Sequence, residues 1–586
     1  MDCNGVFHRT SEHMCYPLNV DELIINIKTG YDVEKVYIWY GDPYEYGIMG
    51  GEAKWKGKKQ YIPFKKNLAT QIWWTTTLTP EFKRCKYYFE LHTKSGEIWY
   101  YFEDGLLSQE EMERDKKILQ CFFMPWMNII DIQATPDWVN ETIWYQIFPD
   151  RFYNDKNPLK TTPWREEGKV TNKEIFGGNI SGIQKKLDYL QDLGITGIYF
   201  TPLMEAESIH KYDTTDYTKI DPCFGSNEEF KELVNQAHEK GIKIMIDAVF
   251  NHSGRKFKPW LDVIERGHDS KYKDWFMIND WDQVSKRGDT KDGRFYTFAF
   301  TDQMPKLNTN NDEVIEYFCK ICEFWITEFN IDAIRFDVGN EISHTFLRKL
   351  KQRVRKLKPD IYLLGEIWHN AINWLTGEEY DSVMNYPLST SLSDFFLDDK
   401  LTKEDLEHKI NRCYTMYMQQ TNNVLFNLLD SHDTQRLINI CKGNLGQALQ
   451  QLAILFTMPG SPCIYYGTEV FLEGSYDPDC RRCMPWNKIE NLTEYQMRIS
   501  KVKELIELRK SYKAARSLHY HFQNNYANSR CVEYIRLDEN VPNLKIVLNC
   551  SKEIVNIVHT DKVLFENGFI DGQLKSDGVV IFKLEK

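Results

Sequence analysis

The residues best suited to chemistry are carboxylates that follow short apolar segments. Asp337 comes directly after residues 331–336, whose only polar members are Asp332 and Arg335. Such a segment is typical of a strand buried on both faces of a parallel sheet, and the carboxyl end of that strand is where parallel α/β folds carry their chemistry. Arg335 lies on the same side of the strand as Asp337, and its guanidinium would keep Asp337 ionised, as a nucleophile requires. Taken alone, the pair could equally be structural, because structural ion pairs also perturb pKa values.

The same arrangement recurs along the chain. Residues 242–250, 361–368 and 424–430 are further apolar segments, and each ends near an acid or a His–Asp pair. The polar and aromatic side chains at these ends are Asp247, His252, Glu366, Trp368, Asp430, His432 and Asp433. Segments of helical period lie between the apolar ones, and this alternation predicts a (β/α)8 barrel with its chemistry at one end.

Length and charge limit the classes of function. The chain has 586 residues, so two to four domains are expected. Its net charge of -12 argues against nucleic acid or an anionic membrane as the main partner. The first residues contain no apolar secretory segment and no run of 18 apolar residues occurs, so we expect a cytoplasmic protein without a membrane span.

The 14 cysteines are scattered, which favours reduced thiols in a protein of this size. Two C-x-x-C pairs occur, Cys319/Cys322 and Cys480/Cys483, and a zinc site built from both pairs remains an alternative. The first pair lies in a helical pattern, which favours a place in the core.

The spacing of apolar residues changes twice along the chain, which predicts three domains. Residues 1–135 contain short alternating segments separated by turn signals, typical of a β-sandwich. Residues 136–512 form the barrel, with an inserted subdomain at 252–310 after strand 3 that is too long for a simple βα loop. Residues 513–586 return to short strands and form a C-terminal all-β domain. The barrel strands are predicted at 143–148, 197–201, 243–250, 331–337, 361–366, 382–386, 424–430 and 463–466, with helices at 312–329, 342–357 and 495–512.

Three acids, Asp337, Glu366 and Asp433, would converge on one cleft. Cleavage of a glycosidic bond needs a carboxylic acid that protonates the leaving oxygen and a carboxylate on the other side of the sugar. Apolar neighbours would raise the pKa of Glu366, as an acid catalyst requires, whereas Asp337 would stay charged. His252 and His432 follow barrel strands directly and could donate hydrogen bonds to sugar hydroxyls.

Four short motifs that contain these residues occur in a characteristic order. They are DAVFNH at 247–252, IRFDVGNE at 334–341, GEIW at 365–368 and LLDSHD at 428–433. With GIYFTP at 197–202 and GSPCIYYGTE at 460–469, they resemble the α-amylase superfamily, glycoside hydrolase family 13. Three further motifs resemble the neopullulanase, cyclomaltodextrinase and maltogenic amylase subgroup: HKYDTTDY at 210–217, MPKLN at 304–308 and DPDCRRCMPW at 477–486. The first domain resembles the family 34 carbohydrate-binding module of that subgroup.

The resemblance implies a role for each matching residue. Asp337 would be the nucleophile, Glu366 the general acid/base and Asp433 the stabiliser of the transition state. The side chains implied around the sugar are His210, Tyr212, Asp247, His252, Arg335 and His432, with Glu341 and Trp368 on the acceptor side. The implied activity is retaining cleavage of α-1,4 and some α-1,6 bonds in cyclodextrins, maltooligosaccharides, pullulan and, more slowly, starch, with transglycosylation. A homodimer is also implied, in which the N-terminal module of one subunit covers the active site of the other.

The sequence departs from the subgroup at a calcium site near the end of strand 1. The loop there is short, and GGN stands where GGD is common, which removes a carboxylate and weakens the site. No cofactor is expected to be required, although oxygens for a calcium ion could still come from Asn154, Asp155, Asn157, Gly177 and Asn179.

Gly339 also stands where alanine is common in the subgroup. Two alternatives to the leading hypothesis remain. One is an α-glucosidase or glucanotransferase of the same superfamily, and the other is a non-catalytic glucan-binding protein. The complete set of three acids argues against the second.

Overall fold

A computed structural model describes residues 1–45, 55, 57–114, 120–155, 161–539, 541–558 and 561–584, with Arg114 described by its backbone alone. Within these ranges no helix combines the length and the hydropathy that crossing a bilayer requires. The described cysteines form no disulfide. The chain divides into two compact units.

The first unit comprises Met1–Ala134, Leu375–Gly377 and Leu401–Asn422. Its strands are β1 (Cys15–Pro17), β2 (Leu23–Thr29), β3 (Val33–Gly41), β4 (Lys58–Tyr61), β5 (Phe64–Asn67), β6 (Ile72–Leu78), β7 (Cys85–Thr93), β8 (Ile98–Phe102), β9 (Gly105–Ser108) and β10 (Phe122–Met124). They form two sheets, ordered β1-β2-β6-β5 and β4-β3-β7-β8-β9, with β10 beside β7. Apolar side chains of both sheets, such as Ile25, Ile38, Trp74 and Phe89, form one buried core, so the predicted β-sandwich is confirmed.

The α-helices are, in chain order, α1 (Gln109–Arg114), α2 (Trp138–Glu141), α3 (Pro149–Phe152), α4 (Ile180–Lys185), α5 (Leu187–Leu193), α6 (Asn227–Glu239), α7 (Lys258–Arg266), α8 (Asp312–Phe329), α9 (His344–Leu357), α10 (Tyr386–Leu397), α11 (Lys403–Thr415), α12 (Gln419–Asn423), α13 (Leu437–Ile440), α14 (Leu445–Thr457), α15 (Trp486–Asn491) and α16 (Thr493–Ser511). Helix α11 belongs to the first unit, which the sequence pattern does not predict. There the amide of Asn67 in β5 donates to Glu407 Oε1 at 3.1 Å, and Asn411 Nδ2 donates back to the Asn67 carbonyl at 2.9 Å.

The second unit is built around a parallel barrel. Its strands are β11 (Trp144–Ile147), β12 (Gly197–Phe200), β15 (Lys243–Ala248), β16 (Ala333–Phe336), β17 (Tyr362–Gly365), β18 (Ser382–Val383), β19 (Phe426–Asn427) and β20 (Ser461–Tyr465), with a separate hairpin of β13 (Met204–Ala206) and β14 (Thr214–Ile220). The ring order is β18-β17-β16-β15-β12-β11-β20-β19, and a parallel bridge between Met384 and Phe426 closes it. The predicted (β/α)8 barrel is therefore confirmed.

Seven of the eight barrel strands are shorter than the sequence predicts, β19 most of all, whereas β20 is longer by one residue. Residues 382–386 read as a five-residue strand, but the chain enters α10 at Tyr386, where the Asn385 side chain accepts a hydrogen bond from Leu388 N at 3.3 Å. This cap ends the extended backbone early, because an asparagine at that position satisfies an amide that the helix leaves without a partner.

One end of the barrel is filled by large apolar side chains. Trp144 stacks on Tyr362 with ring centroids 6.3 Å apart, and Tyr199, Met245 and Phe426 pack in the same buried cluster. A packed interior leaves the carboxyl ends of the strands as the place for polar side chains, as is usual for this architecture.

The inserted segment after β15 forms a lobe around α7. The indole of Trp260 in α7 is buried against Phe276, with centroids 4.7 Å apart. Isolated bridges, including His252–Lys306 and Thr297–Pro305, fold the segment back on itself, and Phe298 stacks on His252 with ring centroids 5.0 Å apart. The lobe therefore brings residues around Phe298 to the carboxyl end of the strands.

The C-terminal part of the second unit is an antiparallel sheet. Its strands are β21 (Tyr520–Gln523), β22 (Cys531–Asp538), β23 (Val541–Asn549), β24 (Val555–Asn556), β25 (Lys562–Ile570) and β26 (Gln573–Lys583). The buried Gln450 amide in α14 donates to the carbonyls of Asn549 at 3.0 Å and Gly578 at 2.8 Å, which joins this sheet to the barrel helices.

Asp381, just before β18, is a buried anchor of the barrel. Its side chain is 0% exposed and accepts hydrogen bonds from Leu363 N at 2.9 Å and from the ammonium of Lys351 at 2.8 Å. Arg355 Nη2 lies 2.6 Å from the same carboxylate. Burial lowers the pKa of Lys351, and Asp381 opposes that shift. The carboxylate thus ties α9 to β17 and β18.

We expect Asp381→Ala to cost about 3–5 kcal/mol of unfolding free energy, because it leaves a buried ammonium unpaired. Thermal unfolding followed by circular dichroism should show a clearly lower melting temperature. Asp192→Ala is the matched control, since Asp192 pairs with Lys503 at 2.6 Å on the surface, and its loss should cost about 0–1 kcal/mol. Equal melting temperatures for the two variants would refute the anchoring role of Asp381.

Candidate active site

The guanidinium of Arg335 joins three carboxylates at the ends of neighbouring strands. It is 0% exposed, and its Nη1 donates to Asp247 Oδ1 at 2.8 Å and Oδ2 at 2.7 Å and to Asp337 Oδ1 at 3.0 Å. Its Nη2 lies 2.8 Å from Glu366 Oε2. Asp247 and Arg335 are register partners in β15 and β16, so the parallel pairing itself brings their side chains together. The predicted contact between Arg335 and Asp337 is present.

Glu366, directly after β17, is held by polar groups. Val338 N donates to its Oε2 at 3.0 Å, and Trp368 Nε1 donates to its Oε1 at 3.1 Å. The expectation of an apolar neighbourhood for Glu366 is therefore wrong, because the strand-end turn aims a backbone amide and Arg335 at the carboxylate. That turn is strained: Val338 is β-branched, yet its φ is 47°, in the left-handed region.

Asp337 sits among like charges. Burial raises the pKa of Asp337 well above its ordinary value, the carboxylates of Glu366, Asp247 and Asp433 raise it further, and Arg335 opposes the shift. Arg335 was expected to have the larger effect, as a cation that keeps Asp337 ionised. In the structure one cation serves several acids, so its influence on Asp337 is shared.

Both carboxylate oxygens of Asp433, in the loop after β19, contact basic side chains. Oδ2 lies 3.0 Å from His432 Nε2, and Oδ1 accepts from Arg481 Nη2 at 3.2 Å. Arg481 Nη1 also pairs with Asp477 Oδ1 at 2.8 Å. Arg481 and Asp477 are not among the predicted site residues, although both lie in the motif DPDCRRCMPW, which was the available signal.

A second layer of neutral groups surrounds these acids. The Tyr212 ring stacks on His432 at an interplanar angle of 7°, and its hydroxyl donates to Asp247 Oδ2 at 3.1 Å. His210 Nδ1 accepts from Tyr212 N at 3.1 Å, and His252 Nε2 donates to the Tyr212 carbonyl at 3.1 Å. Burial lowers the pKa of His252 to about 3 and lowers that of His210 as well, so both rings are neutral.

These groups surround a cavity of about 410 Å³. Its lining residues are Asn172, His210, Tyr212, His252, Phe298, Met304, Asp337, Val338, Asn340, Glu366, Trp368, Asp433, Asp477 and Arg481. Of the sequence-predicted residues, Asp247, Arg335 and His432 are buried and contact the lining side chains without joining them. Glu341 is not in the lining either; its carboxylate pairs with Lys306 Nζ at 3.0 Å.

Trp368 is half exposed and stacks on the buried ring of Tyr386, with centroids 3.6 Å apart. A cavity that presents the carboxylates of Asp337, Glu366, Asp433 and Asp477, neutral donors and an indole can bind a ring rich in hydroxyls and act on it from two sides.

The predicted calcium ligands are engaged with other groups. Asp155 Oδ1 pairs with the Lys185 ammonium at 2.6 Å, and its Oδ2 accepts from Ser181 Oγ at 2.7 Å. Asn154 turns its amide nitrogen to the Phe176 carbonyl at 2.8 Å. An ammonium thus lies where a bound cation would contact Asp155.

The other described residues predicted to bind calcium also form hydrogen bonds that involve backbone amides. Asn179 Oδ1 caps α4 by accepting from Gly182 N at 2.9 Å, and Gly177 N donates to Asp150 at 2.8 Å. Asn157 lies outside the described residues. The described residues contain no group of three or more His, Cys, Asp or Glu placed to hold a metal ion. As arranged here, they do not fit a calcium ion.

Comparison with known proteins agrees with this geometry. The profile described as "Alpha amylase, catalytic domain" matches residues 146–532, and "Alpha amylase, N-terminal ig-like domain" matches residues 1–128. The chain is 40% identical over 560 residues to a cyclomaltodextrinase of Geobacillus thermopakistaniensis, covering 94% of this chain and 92% of that protein. It is 41% identical over 516 residues to the intracellular maltogenic amylase of Bacillus subtilis, covering 87% and 84%.

A solved structure of a cyclomaltodextrinase superposes with a TM-score of 0.87 at 35% identity, covering 100% of this chain and 98% of that one. The family profile spans more than half of the chain and includes every strand of the barrel apart from the first two residues of β11. The chain therefore belongs to the α-amylase family of glycoside hydrolases.

Proposed function

We propose that the protein is a retaining α-glucan hydrolase that cleaves α-1,4 bonds and some α-1,6 bonds through a covalent glycosyl-enzyme intermediate. Its substrates are cyclodextrins, maltooligosaccharides, pullulan and, more slowly, starch. A sugar can accept the glycosyl group in place of water, which gives transglycosylation. The observation that carries the proposal is the shared guanidinium of Arg335, which holds Asp337 and Glu366 on the same cavity wall.

The two half-reactions follow from the positions of these acids. Protonated Glu366 gives its proton to the glycosidic oxygen while an Asp337 oxygen forms a bond to the anomeric carbon and the aglycone leaves. Ionised Glu366 then takes a proton from a water or a sugar hydroxyl, whose oxygen displaces Asp337. Both carboxylates contact one guanidinium, which supports the short separation of about 5–5.5 Å that retention requires.

Asp433 stabilises the transition state by accepting hydrogen bonds from sugar hydroxyls. Its two oxygens are already oriented by His432 and Arg481, so little reorganisation is needed when charge develops at the sugar. The neutral rings of His210 and His252 line the same cavity and bind further hydroxyls without adding positive charge near an oxocarbenium-like centre.

The acid/base role of Glu366 predicts that Glu366→Gln lowers kcat on β-cyclodextrin by about 10²–10⁴-fold, because the amide cannot give a proton to the leaving oxygen. Product analysis by chromatography should show maltose from β-cyclodextrin and panose from pullulan for the native enzyme only. Glu378→Gln, whose side chain is exposed, is the control and should keep native activity. Glucose as the first product would instead favour an α-glucosidase. Intact cyclodextrin affinity without turnover would favour a glucan-binding protein.

Gly339 shapes the position of Glu366. A Cβ at Gly339 would lie 2.9 Å from the Tyr380 hydroxyl and 3.2 Å from the Glu366 backbone nitrogen. The Tyr380 hydroxyl also donates to the Gly339 carbonyl at 3.0 Å. The space beside the Tyr380 hydroxyl therefore fits glycine at position 339. The methyl group of alanine would clash with this hydroxyl and with the backbone of Glu366, the proposed acid.

We expect Gly339→Ala to lower kcat by about 10-fold, with Tyr380→Phe in the same chain restoring part of the loss by removing the crowding oxygen. Steady-state kinetics of the two single variants and the double variant on maltotriose would measure the coupling. Additive losses in the double variant would show that the two positions act independently.

We also propose that the protein is a cytoplasmic homodimer. Support comes from the subgroup motifs and from the Bacillus subtilis relative, which is named an intracellular enzyme. In this arrangement the N-terminal module of one subunit narrows access to the other active site, which favours cyclodextrins over starch.

A homodimer should sediment at about twice the chain mass of 69.5 kDa at micromolar concentration and attack β-cyclodextrin faster than soluble starch. Deletion of residues 1–134 should remove both properties, because the covering module is lost. A monomer that hydrolyses starch as fast as β-cyclodextrin would contradict the dimer and the covered site, and would leave the chemistry of the barrel untouched.

A further inference from the structure

Gln146 lies inside the barrel and contacts the proposed catalytic groups through one histidine. It is the third residue of β11, is 1% exposed, and pairs with Tyr199 and Tyr465 in the neighbouring strands. Its Nε2 lies 2.7 Å from His432 Nδ1. Gln146 is not among the site residues predicted from the sequence.

The other ring nitrogen of His432 determines which atom in this contact gives the proton. His432 Nε2 faces Asp433 Oδ2 at 3.0 Å and also contacts the Tyr212 hydroxyl. A lone pair on Nε2 would repel the carboxylate, so Nε2 carries the proton. A neutral imidazole has one N–H, hence Nδ1 must accept, and Gln146 must present its amide nitrogen.

The same tautomer fixes the direction of the next hydrogen bond. The Tyr212 hydroxyl cannot donate to a protonated Nε2, so its proton goes to Asp247 Oδ2 at 3.1 Å. Asp247 in turn accepts from Arg335. The hydrogen-bond directions that begin at Gln146 in β11 therefore continue through His432, Tyr212 and Asp247. They end at the guanidinium of Arg335, which contacts the acids.

We propose that Gln146 is a positioning residue that fixes the tautomer of His432, so that the Nε2 proton holds Asp433 ready for the sugar hydroxyls. This inference rests on the role proposed above for Asp433. Glutamine suits the position because it offers an N–H to Nδ1 without a charge that would protonate the ring.

The charged surroundings of His432 keep the ring neutral. Burial lowers the pKa of His432 well below its ordinary value, and the cations of Arg481 and Arg335 lower it further, whereas the nearby ring of His210 is neutral. Glu366 acts in the opposite direction, and Asp433 is the carboxylate in contact with Nε2. Tyr212 stacks on the ring and is neutral, since burial raises its pKa well above the ordinary value.

Two substitutions of similar size separate this role from simple packing. In Gln146→Glu the new carboxylate accepts a hydrogen bond from Nδ1 of His432, so Nδ1 must carry the proton. A neutral ring then presents the lone pair of Nε2 to Asp433, and only an imidazolium ring has a proton on both nitrogens. We expect kcat/KM on β-cyclodextrin to fall by about 10–100-fold at pH 8 and to recover most of the native value near pH 5.5, where the doubly protonated ring restores the Nε2 proton. Gln146→Met removes the donor without adding charge, and its loss of about 10-fold should be the same at every pH.

Melting temperatures of both variants show whether they are folded, and Gln450→Glu is a control for a buried carboxylate remote from the cavity. Its pH profile should match the native one. Equal losses for Gln146→Glu and Gln146→Met at every pH, or native activity in Gln146→Met, would overturn the proposal.

Calorimetric affinity for β-cyclodextrin, measured at both pH values in a Glu366→Gln background with and without Gln146→Glu, gives a second readout that needs no turnover. We expect Gln146→Glu to weaken binding at pH 8 and to leave it nearly unchanged near pH 5.5. The same affinity at both pH values would overturn the inference. Absence of hydrolysis by the native enzyme would instead count against the proposed function alone.

Discussion

A single buried guanidinium is the constraint on which the site depends. Arg335 contacts Asp247, Asp337 and Glu366 at 2.7–3.0 Å with no exposure to solvent. Three carboxylates so close together would repel one another, and burying them without a cation would force proton uptake. The cation allows the acids to gather and leaves their protonation coupled. A change in the charge of one acid therefore shifts the pKa of its neighbours.

The barrel makes this gathering reproducible. Asp247 and Arg335 are opposite each other in β15 and β16, and Glu366 follows β17, the next strand of the ring. Parallel strands in fixed register place their carboxyl ends at one level, so side chains distant in sequence meet without a special loop. The strained turn at Val338 completes the arrangement: its φ is 47°, and its amide donates to Glu366 Oε2 at 3.0 Å.

Much of this was predictable from sequence, for reasons that can be named. The bounds predicted for α8, 312–329, are those of the structure, where Asn311 caps the first turn and Asn330 ends the helix in the left-handed conformation. The barrel and the convergence of Asp337, Glu366 and Asp433 follow from apolar strands with polar ends. The polar neighbourhood of Glu366 could not be predicted, because it depends on a backbone amide and on a rotamer of Trp368. Gln146 and Arg481 were missed because their contacts cross the barrel between residues about 290 and 50 positions apart.

The lobe inserted after β15 has a consequence for how such an enzyme can diversify. Phe298 and Met304 reach the cavity from this lobe, whereas the acids come from the strands. Among the described residues, the isolated bridges of the lobe pair its own residues with one another, and the lobe adds no strand to the barrel sheet. Changes in its sequence can therefore reshape the wall that meets the sugar while the strand register stays intact. Substrate preference and bond-breaking chemistry are encoded in separable parts of the chain, and selection can act on the first without loss of the second.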